Sequence, residues 1–325
     1  MKAIRYRAYG PPEVLEYQDV DQPVAGDDEV LVRVRAASVN PLDWHFMRGT
    51  PYPMRAVSGL ARPKVAGLGA DAAGVVEAVG RNVTDFRPGD EVFAEGTQTF
   101  AEYIVLRGDG AVFRKPPNLT FDQAATVPVA GTTALQALRD HSGVQAGQTV
   151  LVNGAAGGVG TFAVQIAKAF GAEVTGVCSA ANTELVRGLG ADHVVDYATE
   201  DFTESKARYD VVLDVAASRP LAAVRRVLAP RGVLVGIGAA NAERLWIGPL
   251  ARPLVMTALS PMGRQRLIPM LAHPKRGDLA VLRGLLEDGQ VVPVIDRTYS
   301  LAEVPEAIRY VERGHAKGKV VIAVG

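Results

Sequence analysis

The sequence predicts an α/β protein that combines a doubly wound parallel sheet with a smaller β-rich module. Several short strand-like runs, bounded by Gly, Pro and Asp, crowd the first third of the chain. From Pro128 onward, apolar runs alternate with helical stretches at intervals of about twenty residues, which is typical of a parallel sheet with crossover helices. The 325 residues are enough for two domains with well-buried cores.

The N-terminal module is predicted from its strand periodicity. In EVLVRVRAAS, residues 29–38, one face carries valines and an alanine, and the other carries Leu31 and two arginines. The runs AGVVEAVG (73–80) and DEVFAE (90–95) are also rich in strand-forming residues, and RPGD at 87–90 predicts a turn. Short strands at such close spacing favour a compact β-barrel-like module.

The central region is predicted from near-continuous apolar runs, which are typical of strands covered on both faces of a parallel sheet. These runs lie at 149–153, 173–178, 193–195, 210–215 and 232–238. After the first of them, Val159, Phe162 and Ile166 follow helical spacing. Ser218 and Pro220 predict a helix N-cap and an early helical proline.

The last fifty or so residues predict a helix and a final strand. Ser300 and Glu303 form a capping-box pair, and Val304, Ile308 and Val311 give the helix one apolar stripe. The run GKVVIAV, residues 318–324, reads as a strand that returns to the N-terminal module. We therefore predict one discontinuous domain at 1–126 and 273–325, which encloses a second domain at 127–272.

A glycine-rich turn joins the first central strand to its helix. Gly154, Gly157 and Gly160 are spaced G-x-x-G-x-x-G, with Gly158 as an extra glycine. Glycines allow a sharp turn and a close approach of phosphate to the main chain, and the helix N-terminus attracts negative charge. The turn therefore predicts a dinucleotide-binding Rossmann domain, and the alternative is a tight turn without a ligand.

The end of the second central strand lacks the acidic residue that would bind both hydroxyls of an adenosine ribose. Residues 178–182 read CSAAN, so Ser179 and Asn182 are the polar side chains there. Neutral donors accept a 2′-phosphate without charge repulsion, which favours NADPH over NADH, and Arg187 on the following helix is a further candidate. Alternatively, Ser179 and Asn182 only cap that helix.

Composition excludes several classes of function. Basic and acidic residues balance at 35 each, which argues against a nucleic-acid partner. Cys178 is the single cysteine, so neither an internal disulfide nor a multi-cysteine zinc site is expected. We see neither a signal-peptide core nor an apolar run long enough to span a membrane, and we expect a cytoplasmic protein without a membrane partner.

The motifs together are similar to those of the medium-chain dehydrogenase/reductase superfamily, in its zinc-free quinone oxidoreductase (zeta-crystallin-like) branch. The resemblance rests on AASVNPLDW, GADAAGVVEAVG, FRPGDEVFA, VPVAGTTALQAL, GQTVLVNGAAGGVGTFAVQIAKAFGA, GADHVVDY and GKVVI. It implies a GroES-like β-barrel domain built from both termini, a Rossmann domain and a homodimer. In relatives, the region matching 241–262, which contains Trp246 here, lines the substrate cleft and the dimer interface.

The resemblance also implies site residues. Asn40 matches an asparagine near the nicotinamide and substrate, and Lys319 matches a lysine close to the cleft. The residues assigned to the NADP(H) site are Thr133, Gly154, Gly157, Gly158, Val159, Ser179, Asn182, Tyr197, Gly236, Gly238 and Lys319.

Zinc-dependent relatives use a cysteine and a histidine in a GHE stretch. Here Asn40 lies where the cysteine is expected, Gly69-Ala70-Asp71 replaces GHE, and the 5 histidines show no metal spacing. We therefore expect no metal site.

Without a Lewis acid, the suitable acceptors are those whose reduction gives a delocalised anion. Asn40 is the candidate hydrogen-bond donor to that anion. Tyr52 either contacts the carbonyl or supplies a proton through water, or it is a turn tyrosine packed on the barrel. Asp43 is interpreted as structural.

The expected function is NADPH-dependent, zinc-independent hydride transfer to a quinone or another α,β-unsaturated carbonyl. One alternative is an enoyl or alkenal reductase that acts on 2-enoyl thioesters. Another, from a different class, is a non-catalytic NADPH-binding protein.

Overall fold

The structure is a computed structural model that describes residues 1–238 and 248–325. The first part of the predicted cleft segment 241–262, including Trp246, lies outside the described residues. The chain divides into two compact units. The first comprises Met1–Thr132, His273–Asp288 and Pro293–Gly325, and the second comprises Thr133–Ala272 and Gly289–Val292.

The division between the units falls after Thr132 and not after residue 126, where the sequence placed it. Residues 127–132 stay with the first unit because Val129 N donates to Asp71 Oδ1 at 2.8 Å and Gly131 packs against Leu282. Residues 289–292 go with the second unit because both backbone groups of Val292 bond the Gln165 side chain.

The elements follow in chain order. The N-terminal part of the first unit contains β1 (Lys2–Arg5), β2 (Glu16–Asp19), β3 (Glu29–Val39), α1 (Pro41–Arg48), α2 (Arg55–Ser58), β4 (Asp71–Val79), β5 (Glu91–Glu95), β6 (Tyr103–Arg107), β7 (Val112–Arg114), α3 (Phe121–Ala125) and the start of α4 (Pro128–Gln136).

The second unit continues with a π-helical turn (Ala137–Ser142), β8 (Thr149–Asn153), α5 (Gly158–Ala169), β9 (Glu173–Cys178), α6 (Thr183–Gly188), β10 (His193–Asp196), β11 (Tyr209–Asp214), α7 (Leu221–Arg226), β12 (Leu228–Gly236), α8 (Gly248–Leu259) and β13 (Arg266–Pro269). The chain then returns to the first unit through α9 (Arg276–Glu287), β14 (Ile295–Ser300), α10 (Val304–Glu312) and β15 (Lys319–Ala323).

The main sheet of the first unit joins both ends of the chain. Its strand order is β14-β15-β3-β4-β5-β7, with β6 also paired to β3. β15 runs antiparallel to β3, with Val320 opposite Val39 and Ala323 opposite Ala36. The predicted return of the C-terminal strand is confirmed. Alternate valines of β3 are buried in one apolar cluster with Val304 and Ile308 of α10, so the two ends of the chain share a core.

The predicted capping box holds the approach to α10. Ser300 N and Ser300 Oγ both donate to Glu303 Oε2, at 2.8 and 2.7 Å. A 3-10 turn at Leu301–Glu303 follows and leads into the helix. The polar pair at this turn was predicted correctly because such a cap depends only on local sequence.

The second unit is built on a parallel sheet in the order β10-β9-β8-β11-β12-β13. The chain winds outward from β8 in one direction and from β11 in the other, so the strand order reverses between these two strands. The last residues of β8 and β11, Asn153 and Asp214, lie opposite each other in register. In open sheets of this type, ligands bind beyond the carboxyl ends of the strands at that reversal.

The glycine turn after β8 brings α5 close to the sheet. Gly154 has φ +91°, a conformation that L side chains rarely adopt. The N–H groups of Gly154 and Ala155 donate to Val177 O of the neighbouring strand at 3.1 and 3.0 Å. A Cβ on Gly160 would lie 2.0 Å from Gly154 O. Gly160 therefore sets the distance between helix and turn.

The start of α7 differs from the prediction. Pro220, and not Ser218, is the N-cap, because its ψ of 140° is extended and the helix begins only at Leu221. Ser218 Oγ instead lies 3.3 Å from Asn153 Nδ2.

Within residues 1–238 and 248–325, no helix has the length and apolar character needed to cross a membrane.

We predict that Gly160→Ala lowers the free energy of unfolding by about 3 kcal/mol, because the added methyl group overlaps backbone atoms that cannot move aside cheaply. Gly284→Ala is the matched control: this glycine lies within α9, and a Cβ there meets nothing within 4 Å. It should raise the free energy of unfolding by about 0.5–1 kcal/mol, from helix propensity alone. Urea denaturation of the two variants measures both values, and equal effects would contradict the packing role of Gly160.

Candidate active site

A buried ion pair lies at one end of the main sheet of the first unit. Lys319 Nζ is 3.1 Å from Asp71 Oδ2, and the two residues are 3% and 0% exposed. The β3–β4 pairing places Ser38 directly opposite Asp71, and Val321, two residues after Lys319, also lies opposite Ser38. Because side chains alternate along a strand, these residues share one face of the sheet.

Asp71 is the residue that joins the cluster. Its Oδ2 accepts hydrogen bonds from Ser38 Oγ at 2.6 Å, from Asn40 Nδ2 at 2.8 Å and from Lys319 Nζ at 3.1 Å. Its Oδ1 accepts from Val129 N at 2.8 Å. Four donors around one buried carboxylate compensate the loss of water. The prediction named Asp71 only as a departure from the zinc-binding pattern and missed this role.

The predicted residues Asn40 and Lys319 are brought together. Lys319 Nζ donates to Asn40 Oδ1 at 2.6 Å, while Asn40 Nδ2 donates to Asp71 and, at 3.4 Å, to Ser38 O. Both ends of the Asn40 amide are therefore engaged. Asn40 directly orients the Lys319 ammonium, and its role as a donor to substrate stays a prediction.

Asp43 supports the loop that carries Asn40. Asn40 N donates to Asp43 Oδ2 at 2.7 Å at the start of α1. Burial raises the pKa of the Asp43 carboxyl to about 7, and the nearby Asp71 carboxylate adds to the effect. This geometry agrees with the structural interpretation of Asp43.

Glu95 is a second residue that the sequence interpretation missed. It lies at the end of β5, directly opposite Asp71 on β4, and is half-buried. Burial and the Asp71 carboxylate raise the pKa of Glu95 to about 7, although the Lys319 ammonium acts in the opposite direction. Only the pairing of β4 with β5, which the sequence does not specify residue by residue, reveals its position.

Tyr52 lies in a 3-10 helix at Tyr52–Met54, and its ring contacts a cation. The Arg55 guanidinium is 4.8 Å from the centroid of the Tyr52 ring and 4.5 Å from that of Tyr9. Arg55 Nε also donates to Gly49 O at 2.9 Å, which ties this turn to the end of α1. These contacts favour the packed-turn alternative, and a catalytic role of Tyr52 stays a prediction.

In the second unit, the predicted phosphate loop has the features that a pyrophosphate needs. Gly157 is the N-cap of α5 and provides no side-chain cap, so Gly158 and Val159 begin the helix with main-chain N–H groups directed out of its first turn. A Cβ on Gly157 would meet only Gly154 O, at 3.5 Å, and the turn therefore leaves room for a ligand. The loop fits a dinucleotide. Thr133, 7% exposed, lies in α4.

The candidate ribose-phosphate residues follow β9 and β10. Ser179 and Asn182 occupy N-cap positions, but neither side chain makes a capping hydrogen bond; instead Asn182 Nδ2 donates to Ser179 Oγ at 3.2 Å. Asn182 Oδ1 is buried and lacks a partner among the described residues. Tyr197 lies next to this turn, because Tyr197 N donates to Cys178 O at 3.1 Å, and its side chain is half-exposed. Arg187 is exposed and paired with Glu184.

Close packing is sufficient to explain why glycine occupies positions 236 and 238. A Cβ on Gly238 would lie 1.9 Å from Val215 O, and one on Gly236 would lie 2.9 Å from Met256 Sδ. Their assignment to the cofactor site stays a prediction.

A buried polar cluster at the reversal of strand order was also missed. Asp214, fully buried, accepts from Asn153 Nδ2 at 2.7 Å and from Ala217 N at 3.0 Å, and it pairs with Arg252 of α8. Arg252 Nη1 also donates to Arg219 O at 2.7 Å. The cluster fastens α8 to the carboxyl edge of the sheet.

The residues near Asn40 do not fit zinc. Zinc sites in proteins are built from Cys, His and carboxylate ligands, whereas this cluster has an ammonium at its centre, and ammonium groups only donate. Across residues 1–238 and 248–325, no group of three or more His, Cys, Asp or Glu side chains is arranged to hold a metal ion.

We predict that Asp71→Asn lowers the free energy of unfolding by about 3–5 kcal/mol, because it leaves the buried Lys319 ammonium without its carboxylate. Asp19→Asn is the matched control: Asp19 pairs with Lys2 at 2.7 Å but is 77% exposed, so its loss should change stability little. Thermal and urea denaturation measure both. Similar small effects for the two variants would show that the buried pair does not hold the cluster.

Two family models match the chain. One, described as an alcohol dehydrogenase GroES-like domain, matches residues 26–117, and the other, described as a zinc-binding dehydrogenase, matches residues 189–322.

Similar proteins cover the chain almost completely. It is 37% identical to the mitochondrial NAD(P)H oxidoreductase RTN4IP1 of Homo sapiens, over 97% of this chain and 87% of that protein. It is 35% identical to the 2-methylene-furan-3-one reductase of Solanum lycopersicum, over 99% and 79%. The solved structure of the quinone oxidoreductase from Coxiella burnetii matches it with a TM-score of 0.86 at 29% identity, over 100% of this chain and 99% of that one. With its parallel sheet, glycine loop and GroES-like domain, the chain belongs to the medium-chain dehydrogenase/reductase superfamily, in its quinone oxidoreductase branch, and is an oxidoreductase.

Proposed function

We propose that this enzyme transfers a hydride from NADPH to a quinone or another α,β-unsaturated carbonyl, without zinc. The observation that carries the proposal is the buried Lys319 ammonium, held by Asn40 and Asp71 within an oxidoreductase of this branch. The relatives' names support an NAD(P)H-dependent reductase.

Lys319 takes the role that a metal ion has in zinc-dependent relatives. Its ammonium carries three N–H donors, and among the described residues Asn40 Oδ1 and Asp71 Oδ2 accept from it. In the proposal, the remaining N–H donates to the oxyanion that forms when an acceptor is reduced. In a site with little water, such a preoriented cation stabilises the developing charge strongly. Asn40 and Asp71 fix the position of the ammonium and so limit its reorganisation.

A fixed ammonium suits some acceptors better than others. A simple alkoxide is very basic and would take a proton from the ammonium, whereas a phenolate or enolate spreads its charge over several atoms and needs only a hydrogen bond. Quinones and α,β-unsaturated carbonyls give such delocalised anions when a hydride adds to them. The donor set therefore favours conjugated acceptors over the substrates of zinc-dependent alcohol oxidation.

The second unit holds the nicotinamide cofactor in the proposal. When bound, the cofactor supplies the hydride. The N–H groups at the start of α5 bind its pyrophosphate, and Gly154 and Gly160 keep the turn narrow enough for the main chain to reach it.

The preference for NADPH rests on Ser179 and Asn182. The four residues directly after β9, Ser179 to Asn182, include no carboxylate that would repel a 2′-phosphate, and neither polar side chain is used for capping. Asn182 Oδ1 has no partner among the described residues. Because Ser179 Oγ accepts from Asn182 Nδ2, its own O–H and the second N–H of Nδ2 are the donors that we assign to a phosphate oxygen. The pair therefore has donors to offer a 2′-phosphate.

An enoyl or alkenal reductase is the second candidate. It is favoured by the 2-methylene-furan-3-one reductase of tomato, whose name describes reduction of a conjugated enone. Both candidates require the same stabilised anion, and they differ in the shape of the acceptor. The cytoplasmic location and the homodimer also stay predictions.

We predict that purified protein oxidises NADPH when given a quinone or a conjugated enone, and that a metal chelator leaves the rate unchanged. An absorbance assay with simple quinones, alkenals and 2-enoyl thioesters, each with NADPH and NADH, measures both. A saturated aldehyde is the matched control, because its reduction gives a localised alkoxide. Loss of activity with the chelator, or a preference for the saturated aldehyde, would overturn the proposal.

We predict that Ser179→Asp reverses the cofactor preference. A carboxylate at this position repels the 2′-phosphate and accepts bonds from the ribose hydroxyls of NADH, so the ratio of kcat/KM for NADPH to that for NADH should fall about tenfold or more. Ala181→Arg, at an exposed position, is the opposing variant and should raise the same ratio. An unchanged ratio in both variants would exclude this turn as the source of selectivity.

A further inference from the structure

Glu95 and Asp71 form a cross-strand pair of two acidic residues. They lie directly opposite each other in the antiparallel pairing of β5 with β4. In the neighbouring pair, Ala70 and Gly96, the N–H of Gly96 donates to Ala70 O at 2.7 Å. Hydrogen-bonded and non-hydrogen-bonded pairs alternate along antiparallel strands, so Asp71 and Glu95 form a non-hydrogen-bonded pair. Side chains of such pairs are especially close. Two carboxylates in this arrangement repel each other.

Asp71 is the main hydrogen-bond acceptor of the cluster. Four donors contact its carboxylate, whereas no hydrogen bond from a described residue contributes to the environment of the Glu95 carboxyl. Lys319, the cation that acts on Glu95 among the described residues, is bonded to Asp71 and acts on Glu95 only at longer range. Glu95 lacks such partners, and burial together with the Asp71 carboxylate raises its pKa, so Glu95 is the member of the pair that we expect to hold a proton.

The other titratable groups near this site do not compete for that role. Asp43 is 2% exposed and is bonded by the backbone of Asn40, so water reaches it poorly. Glu91, at the other end of β5, is about half exposed and pairs with Lys115. On β7, the strand on the far side of β5, Arg114 is paired with Asp90.

We propose that Glu95 supplies the proton that accompanies hydride transfer, an inference that rests on the proposed function. The hydride brings two electrons and one hydrogen to the acceptor and leaves an anion. The O–H bond of the Glu95 carboxyl then breaks, and its proton forms a new bond to the oxygen or carbon of that anion. The electron pair of the broken O–H bond stays on Glu95, and the positive charge of Lys319 stabilises the resulting carboxylate. Water restores the proton, because Glu95 is only half-buried.

The acidity of Glu95 suits this task. Burial and the Asp71 carboxylate raise its pKa to about 7, so the carboxyl is protonated below neutral pH yet acidic enough to give the proton away. A general acid works best when its pKa lies near the working pH. Since the protonated form is the active one, the rate should be highest below about pH 7 and should fall as the pH rises through that value.

The test compares the pH profiles of wild-type protein, Glu95→Gln and Glu91→Gln, with an acceptor that the wild type reduces. For the wild type and for Glu91→Gln we expect kcat to fall about tenfold per unit above the neutral midpoint. Glu95→Gln should lose about 100-fold at low pH and should show no midpoint there. A midpoint near neutrality that persists in Glu95→Gln would overturn the proposal, because a group other than Glu95 would then set it.

An infrared titration gives a readout independent of turnover. Below neutral pH, the C=O stretching band of protonated carboxyl groups should be weaker in Glu95→Gln than in wild type, by the intensity of one carboxyl group. The band of Glu91→Gln should match that of wild type. An unchanged band would show that Glu95 is already ionised and would overturn the proposal. If the wild type reduces no acceptor at all, the proposed function fails. If the wild type is active and Glu95→Gln has the same pH profile, only the role of Glu95 fails.

Discussion

The buried contact between the Lys319 ammonium and the Asp71 carboxylate is the constraint on which the candidate site depends. A charge removed from water is costly unless partners replace its hydration, and here two opposite charges lie 3.1 Å apart with further hydrogen bonds to each. Asn40 accepts from the ammonium and donates to the carboxylate, so it is held in one orientation by both. The same contact ties β15, from the end of the chain, to β4, from its beginning, and Ser38 of β3 is joined to it through Asp71.

The carboxyl groups beside this pair have raised pKa values. The Lys319 ammonium donates to Asp71 and to Asn40, and Asp71 also accepts from Ser38 and Asn40. Burial then works against ionisation of Asp43 and Glu95, whose pKa values both rise to about 7. The buried ion pair and the carboxyls packed around it therefore give this cluster two groups whose pKa values lie near neutral pH.

In the second unit, the candidate phosphate site depends on the backbone geometry of the glycine turn. The turn after β8 carries a glycine with positive φ and another that approaches the backbone too closely for any side chain. Both requirements are local to a few residues, and together they leave the first N–H groups of α5 available to a phosphate. Asp214 and Arg252 stabilise the neighbouring strand end from within the unit.

The sequence by itself determined the elements and the class of the fold. Strand periodicity, the glycine turn, the Ser300–Glu303 cap and the central apolar runs are local patterns, and each predicted its element because local geometry is governed by neighbouring residues. The tertiary structure alone decided that four donors bond Asp71 and that Glu95 lies opposite it in the sheet. It also decided that both ends of the Asn40 amide are hydrogen-bonded. These contacts join residues far apart in the chain, and their strength comes from burial and strand register, which no short stretch of sequence encodes.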